Sequence, residues 1–210
     1  MPDAQSLSDV PHRSGQHALA ASRADTSRQQ ILAVAARLLR ERGYAETSLR
    51  DIAAAVGMKA GSLYYHFESK ELLAAEVLRI GVEHVHAAVA RRLASFPAEA
   101  SHRDRISGAT LAHLEALLAA SDFSSAHIRC FPYVPAAVKE SVQQARRDYD
   151  EIWAGLFDRA LADGALREGI EPRTARHAVL GALNFSLEWF DPARDEPGEF
   201  AQMLSCWFLD

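Results

Sequence analysis

The chain has 210 residues, of which 49% are hydrophobic and 24% are charged. This composition is that of an ordinary globular protein and excludes a fibrous one. The apolar runs are too short to span a membrane, and residues 1–24 lack the basic start and apolar centre of a secretory signal. We therefore expect a cytoplasmic protein with no membrane partner.

The formal net charge of −5 is unevenly distributed along the chain. There are eight Lys/Arg and six Asp/Glu residues between Arg23 and Leu72, but fourteen basic and twenty acidic residues from Leu73 onward. A mildly basic N-terminal unit is thus joined to an acidic body. This asymmetry is typical of proteins in which only one unit approaches phosphate.

The first predicted helix follows a segment without hydrophobic periodicity. Residues 1–24 mix Pro, Ser, Gln, Asp and His, a composition that predicts a disordered tail. Thr26 and Gln29 fit a capping box, and apolar residues then recur at helical spacing. Gly43 is expected to end this helix.

Three further helices are predicted before residue 97. Thr47 and Ser48 can cap a short second helix, which Gly57 ends. A third short helix follows after two more residues. Ser69 offers an N-cap to a longer fourth helix, which we expect to end near Phe96 and Pro97. Two short helices separated by a glycine turn are compatible with a helix-turn-helix, although this pattern alone is weak.

The rings of the third helix strengthen that interpretation. Leu63 and Phe67 are four residues apart and can share the face that packs on the first two helices. Tyr64, Tyr65 and His66 cannot all share that face, so at least two of them must point outward. Phenol hydroxyls and an imidazole N–H are good donors to the phosphate oxygens of DNA.

The stretch from Thr26 to Leu73 resembles the N-terminal domain of TetR-family transcriptional regulators. The resemblance rests on Arg42-Gly43-Tyr44 at the end of the first helix, on Leu63-Tyr64-Tyr65-His66-Phe67, and on the following Lys70. It implies an all-α fold in which residues 25–70 form a three-helix helix-turn-helix domain. Residues 71–210 would then form a helical effector-binding and dimerisation domain.

The resemblance also implies roles for individual residues. Leu63 and Phe67 would be core, and Lys70, which has little packing reason to be there, would clamp phosphate. Residues near the start of the third helix would read base edges. The full set of implied DNA-binding residues is Thr47, Ser48, Lys59, Ala60, Gly61, Ser62, Tyr64, Tyr65, His66 and Lys70. The alternative for Tyr64 and His66 is that they only seal the small domain.

Lys59 departs from the family pattern. Family members often have Ser or Thr there as a helix cap, whereas Lys59 offers no acceptor to the free N–H groups of the helix start. The resemblance therefore leaves the base preference open.

The C-terminal region combines long helical patterns with an aromatic, broken stretch. Leucines recur on one side between Ile106 and Leu118, and prolines 132 and 135 interrupt the aromatic residues that follow. Helical patterns then cover residues 136–162 and the stretch from Pro172 to Phe190. The broken stretch suits either an apolar cavity or a packed core, and the resemblance favours a cavity for a small molecule. It also implies that the last two long helices pair with a second subunit, with packing inside one chain as the alternative.

The segments Gly181–Phe185 and Glu188–Pro192 loosely resemble family members that respond to acyl-coenzyme A thioesters. An apolar or acyl-coenzyme A-like effector is therefore expected. Arg129, with Asn184 and Trp189, would line the polar mouth of its site or, equally well, pack between helices. The candidate ligand-binding residues are Leu111, Leu114, Leu118, Phe123, Phe131, Tyr133, Trp153, Phe157, Asn184 and Trp189.

Other function classes find little support in the sequence. There is no GxSxG, P-loop, dinucleotide or HExxH motif, so an enzyme is not expected. The spacing of Cys130 and Cys206 and of the histidines indicates neither a disulfide nor a metal site, and no cofactor is expected. The sequence predicts a homodimeric repressor that binds a palindromic operator in double-stranded DNA. A regulator without a functional ligand site, or an activator, remains the alternative.

Overall fold

The computed structural model describes residues 13–119, 122–191 and 193–209, with side chains from residue 25 onward. The regular elements in these ranges are helices, and one isolated antiparallel bridge joins Leu166 to Leu209. The predicted all-α class is confirmed. In chain order the elements are α1 (Arg13–Arg42), α2 (Leu49–Val56), α3 (Ala60–His66), α4 (Lys70–Ala94), α5 (His102–Leu118), α6 (Asp122–Cys130), the 3₁₀ helix η1 (Phe131–Tyr133), α7 (Ala136–Ala162), α8 (Pro172–Trp189) and α9 (Pro197–Phe208).

Helix α1 begins thirteen residues before the predicted start, at Arg13 instead of Thr26. The backbone of residues 13–24 is helical where a disordered tail is predicted, and the rest of that tail lies outside the described residues. The stretch 17–24 contains four alanines and a leucine, which are good helix formers. The predicted capping box at Thr26 is therefore wrong, because Thr26 and Gln29 lie inside the helix.

The ends of the next helices follow their local signals. Gly43 comes directly after α1 with φ 80°, and Gly57 ends α2 with φ 79°, in the left-handed region that glycine adopts readily. Ser48 caps α2 in a capping box with Asp51, and the Ser69 side chain accepts a hydrogen bond from the backbone N–H of Leu72 at the start of α4. These predicted boundaries are confirmed.

A hydrophobic cluster crosses the predicted domain boundary at residues 70/71. It joins Leu38 of α1 and Leu63 of α3 to Val77 of α4, Cys130 of α6 and Val138 of α7. The N-terminal helices are therefore packed on the C-terminal ones through a shared core. Close-packed interiors of this kind transmit strain between the helices that share them.

A second cluster fills the C-terminal part of the molecule. Trp153 and Phe157 of α7 are fully buried in this cluster, which also contains residues of α4, α5, α8 and α9. Helix α7 has its predicted bounds, and α8 ends one residue before the predicted Phe190. Helix α9 is not predicted from the sequence, although Phe200, Leu204 and Phe208 recur at a spacing of four residues.

Candidate DNA-binding surface and effector cavity

Helix α3 is anchored on one side and exposed on the other. Leu63 is fully buried and Phe67 nearly so, whereas Tyr65 is 86% exposed and Tyr64 50% exposed. His66 is half-buried, and its ring lies edge-on to that of Tyr65 with centroids 5.6 Å apart. The prediction that at least two of the three rings point outward is confirmed.

The start of α3 is also accessible. Lys59 is the N-cap residue and makes no side-chain capping hydrogen bond, as its residue type indicates. Ser62 is exposed and Ala60 half-buried. A Cβ added to Gly61 would meet no atom of the described residues within 4 Å, so no contact among them requires glycine at this position.

Thr47 does not present its side chain to a partner. It is buried, and its hydroxyl donates to the carbonyl oxygens of Gly43, at 2.9 Å, and Leu38, at 3.3 Å. Its backbone N–H donates to Tyr44. The predicted phosphate contact through the Thr47 hydroxyl is therefore wrong, because the residue instead fixes the turn between α1 and α2.

Ser48 is exposed but committed to helix capping. Its backbone N–H donates to Asp51 Oδ2 at 2.9 Å, and its hydroxyl also contacts that carboxylate. These hydrogen bonds with Ser48 lower the pKa of Asp51. Ser48 therefore orients the start of α2, and its contact with phosphate stays a prediction.

Lys70 has a packing role that the sequence does not reveal. Its ammonium lies 4.1 Å from the centroid of the Tyr44 ring and donates to the carbonyl oxygen of Ala45 at 3.4 Å. Tyr44 in turn donates to Glu71 at 3.2 Å, and burial, with Glu71 close by, raises the pKa of Tyr44 to about 12. The expectation that Lys70 has little packing reason is wrong, and its contact with DNA stays a prediction.

A cavity of about 290 Å³ lies in the C-terminal part of the molecule. Five helices and η1 contribute to its wall. The lining residues are Gly81, Val82 and Val85 of α4, His113 and Leu117 of α5, Ser124, His127 and Ile128 of α6, Phe131 and Pro132 of η1, Arg146, Tyr149 and Asp150 of α7, and Leu180 and Asn184 of α8.

Two of the predicted ligand-binding residues, Phe131 and Asn184, line this cavity, and eight do not. Leu114, Trp153 and Phe157 are buried in the second cluster, while Leu118 and Phe123 pack at the edges of the two clusters. Leu111 lines a separate recess next to α9, and Tyr133 and Trp189 are exposed. Apolar spacing identifies side chains that leave water, but it does not distinguish a cavity wall from a solid core.

Arg129 is likewise absent from the cavity wall. Its guanidinium forms an ion pair of 2.9 Å with Glu188 of α8. The predicted place of Arg129 at the mouth of the cavity is therefore wrong, because its charge is used to link α6 to α8.

Most of the polar wall of the cavity is formed by residues that are not predicted from the sequence. His127 Nδ1 donates to the carbonyl oxygen of Leu78 at 3.1 Å, and its Nε2 lies 2.8 Å from Arg146 Nη1. Deeper in the structure, His113 Nδ1 lies 2.5 Å from the Tyr149 hydroxyl. The 3.6-residue periodicity of α7 places Arg146, Tyr149 and Asp150 on one side of the helix, which is the signal that could have identified them.

Burial keeps both histidines of this wall neutral near pH 7. It lowers the pKa of His113 to about 4, against the raising effect of the neighbouring Asn184 side chain. Burial, together with the charge of Arg146, lowers the pKa of His127 to about 3. Burial also raises the pKa of Tyr149, so its phenol stays protonated. Arg146 is thus the cation of this polar group.

Helix α6 contacts both the cavity and the DNA-binding domain. Ser124 and His127 line the cavity, while Asp122 forms an ion pair of 2.8 Å with Arg40 of α1. The Cys130 thiol donates to the carbonyl oxygen of Leu39 in α1 at 3.2 Å. A change in the position of α6 would therefore act directly on α1.

Helix α6 also lies unusually close to α4. A Cβ built on Gly81 would come within 2.3 Å of the carbonyl oxygen of Phe123, a distance that no side chain tolerates. Gly81 therefore permits the close approach of these two helices beside the cavity.

The fold and the exposed α3 surface define a DNA-binding protein of the helix-turn-helix class. Residues 31–77 match the family described as "Bacterial regulatory proteins, tetR family", and residues 99–204 match "Tetracyclin repressor-like, C-terminal domain". The second match alone covers half of the chain. The protein belongs to the TetR family of transcriptional regulators, which is not a family of enzymes.

Individual relatives agree with this assignment. The chain is 26% identical to the HTH-type transcriptional repressor KstR2 of Rhodococcus jostii over 166 residues, which cover 79% of this chain and 80% of that protein. The TetR-family regulator PfmR from Thermus thermophilus is similar in structure, with a TM-score of 0.71, 27% identity and coverage of 84% and 91%. The fold of AibR, solved with isovaleryl coenzyme A and operator DNA, matches with a TM-score of 0.74, 22% identity and coverage of 86% and 97%.

In the part of the chain that the structure describes, no helix is both long enough and apolar enough to cross a membrane.

Proposed function

We propose that the protein is a repressor that binds a palindromic operator as a homodimer and releases it when a small apolar or acyl-coenzyme A-like molecule enters the cavity. The observation that carries this proposal is the position of α6, which lines the cavity and also packs on α1 of the DNA-binding domain. Such a regulator would act in the cytoplasm, where DNA is accessible.

In this proposal α3 enters the major groove of the operator. Tyr64, Tyr65 and His66 would donate to phosphate oxygens, and Ser62 with the neighbouring Lys59 would approach base edges. The exposure of both tyrosines and of Ser62 supports this role. Leu63 and Phe67 hold the helix against α1 and α2 and thereby fix its orientation.

A homodimer is proposed because a single helix-turn-helix unit seldom binds DNA tightly. The apolar residues Phe185 of α8 and Trp207 of α9 are 63% and 55% exposed, and Met203 of α9 is 44% exposed. These exposed apolar side chains favour an interface formed by α8 and α9. The resemblance implies instead an interface formed by residues 136–162 and α8.

Phe185→Lys combined with Trp207→Lys should yield monomers in sedimentation velocity, whereas Tyr133→Lys, at an exposed position outside this interface, should leave the dimer intact.

The effector is proposed from the cavity and from one structural neighbour. A volume of about 290 Å³ is at the lower end of the range for small-molecule sites, so the cavity suits a compact acyl group or a body of similar size. AibR was solved with isovaleryl coenzyme A, which makes acyl-coenzyme A thioesters the first candidates.

Release would begin with a displacement of α6 as the cavity fills. The Arg40–Asp122 ion pair and the Cys130–Leu39 hydrogen bond would transmit this displacement to α1, and the shared core would transmit it to α4. A small rotation of each DNA-binding domain changes the spacing of the two α3 helices in the dimer. The two helices would then no longer fit successive major grooves.

The test is fluorescence anisotropy of the purified protein on DNA from upstream of its own gene, at two salt concentrations, with a panel of acyl-coenzyme A thioesters. The proposal predicts salt-sensitive binding that exceeds binding to random DNA and is lost with one compound. Specific binding that no compound changes would favour a regulator without a functional ligand site. Transcription that rises when the protein is bound would identify an activator.

A further inference from the structure

We infer that the effector carries a negatively charged oxygen group, a carboxylate or a phosphate, which pairs with Arg146 at the wall of the cavity. This inference rests on the effector site proposed above and adds the charge of the ligand to it. A neutral apolar molecule would leave the charge of Arg146 without a counter-charge from the ligand.

Arg146 has contacts that position its guanidinium but do not neutralise it. Its Nη1 donates to His127 Nε2 at 2.8 Å, and the group lies 3.9 Å from the centroid of the Phe131 ring. None of the ion pairs among the described residues includes Arg146. Burial lowers the pKa of Arg146, and the charge of Asp150, the acidic residue of the cavity wall, partly opposes this effect. The ion pair of Asp150 is with Arg176 of α8, at 3.4 Å.

The other cations near the cavity already have partners. Arg129 forms an ion pair with Glu188, and Lys139 donates to the carbonyl oxygen of Pro132 at 2.9 Å. Neither Arg129 nor Lys139 lines the cavity, whereas Arg146 does. Arg146 is therefore the arginine of the cavity wall, and no ion pair of it is found among the described residues.

His127 holds Arg146 in place without competing for its charge. Its Nδ1–H is bound to the carbonyl oxygen of Leu78, which leaves the lone pair of Nε2 to accept from Arg146. One guanidinium N–H is thereby used, and the remaining N–H groups can bind a carboxylate or phosphate in a bidentate manner. Because the side chain is already ordered by His127 and Phe131, a ligand does not have to order it on binding.

The remainder of the wall suits an apolar body. Val82, Val85, Leu117 and Leu180 line the cavity, and the polar His113 and Tyr149 are neutral near pH 7. An amphipathic anion would place its apolar part against these residues and its charged group on Arg146. If a neutral ligand covered Arg146, the guanidinium would lose solvent without gaining a counter-charge.

The experiment measures ligand binding by titration calorimetry on the full-length protein without DNA. Three probes share one chain and differ in charge: octanoyl-coenzyme A, octanoate and octanamide. We expect the wild-type protein to bind at least one of the two anions more tightly than octanamide. Arg146→Gln should lower the affinity for that anion by about tenfold or more, because it removes a charge-assisted pair. The affinity for octanamide should not change.

Two further variants separate the charge from the fold. Arg147→Gln removes the next arginine of α7, which does not line the cavity, and should bind all probes like the wild type. Arg146→Lys keeps the charge and should retain part of the preference for anions. If Arg146→Gln loses affinity only for octanoate, the group that pairs with Arg146 is a carboxylate. If it loses affinity only for octanoyl-coenzyme A, the group is a phosphate.

Three results would overturn the inference: octanamide binding as tightly as the anions, equal losses for all probes in Arg146→Gln, or no binding by any probe. Anisotropy with operator DNA is measured separately. Arg146-dependent binding of an anion that leaves the DNA complex intact would refute the proposed release while the charge assignment stands.

Discussion

The DNA-binding surface and the cavity are built in opposite ways. The first presents outward residues from one short stretch of chain, α2 to the start of α4, in which Ser48 and Gly57 bound α2 and Ser69 starts α4. The second has inward-facing residues from five helices that are distant in sequence. Substitutions on the exposed DNA-binding surface should change the free energy of unfolding little. Substitutions next to the cavity disturb close packing and should change it more. The predictions below test this contrast.

The largest effect is expected at Trp153, the fully buried ring next to Tyr149 in the C-terminal core. Trp153→Ala should lower the free energy of unfolding by about 3–5 kcal/mol in urea denaturation, because it leaves a large void. Tyr133→Ala removes a ring that is 80% exposed and should change stability by less than about 0.5 kcal/mol. Similar losses for the two variants would contradict the assignment of Trp153 to the core.

Acid should destabilise the protein through the two neutral histidines. In the native state the pKa is about 4 for His113 and about 3 for His127, below the usual 6.5. Above pH 6.5 both histidines are neutral in the native and in the unfolded protein, and their full contribution to the free energy of unfolding is present. As the pH falls below 6.5 only the unfolded chain takes up these protons, so stability declines by up to about 1.4 kcal/mol per pH unit for each residue.

Urea denaturation between about pH 7 and pH 5 measures this slope, since most carboxylates titrate lower. His127→Gln should flatten the slope relative to the wild type. A free energy of unfolding that stays constant over this range would show that the histidines are not buried as described.

A smaller effect on stability is expected where α4 and α6 approach each other closely at Gly81. Gly81→Ala should cost about 1–3 kcal/mol of stability, because the new methyl group would overlap the backbone of Phe123. Gly61→Ala places the same methyl group in open space on α3 and should stabilise the helix by roughly 0.5–1 kcal/mol. If Gly81→Ala melted at the wild-type temperature, the close approach of the two helices would be disproved.

The smallest effect is expected on DNA binding. Tyr65→Phe removes one exposed hydroxyl and should weaken binding by about 0.5–1.5 kcal/mol on operator and random DNA alike. Tyr133→Phe removes an equally exposed hydroxyl far along the chain and serves as the matched control. Ser62→Ala should instead alter the preference among operator sequences in the anisotropy assay, and a reversal of these two patterns would exchange the assigned roles.

The contrast between the two regions explains what the sequence predicts. The outward position of Tyr64 and Tyr65 follows from the spacing of Leu63 and Phe67, which is a local property of one helix. The contact between Arg146 and His127 depends instead on how α7 packs on α6, and no local pattern encodes that packing. Trp153 and Asn184 are both one turn or more inside regular helices, yet one is solid core and the other lines the cavity.

In the proposed mechanism the cavity and the DNA-binding surface are coupled through α6. If the effector lowers the affinity of the protein for DNA by some factor, linkage requires that DNA lowers the affinity for the effector by the same factor. The most direct measurement is therefore the dissociation constant of the releasing acyl-coenzyme A, determined with free protein and with saturating operator DNA. We expect saturating DNA to lower the effector affinity by the same factor by which the effector lowers the DNA affinity. An effector affinity that is identical with and without DNA would contradict coupling through α6.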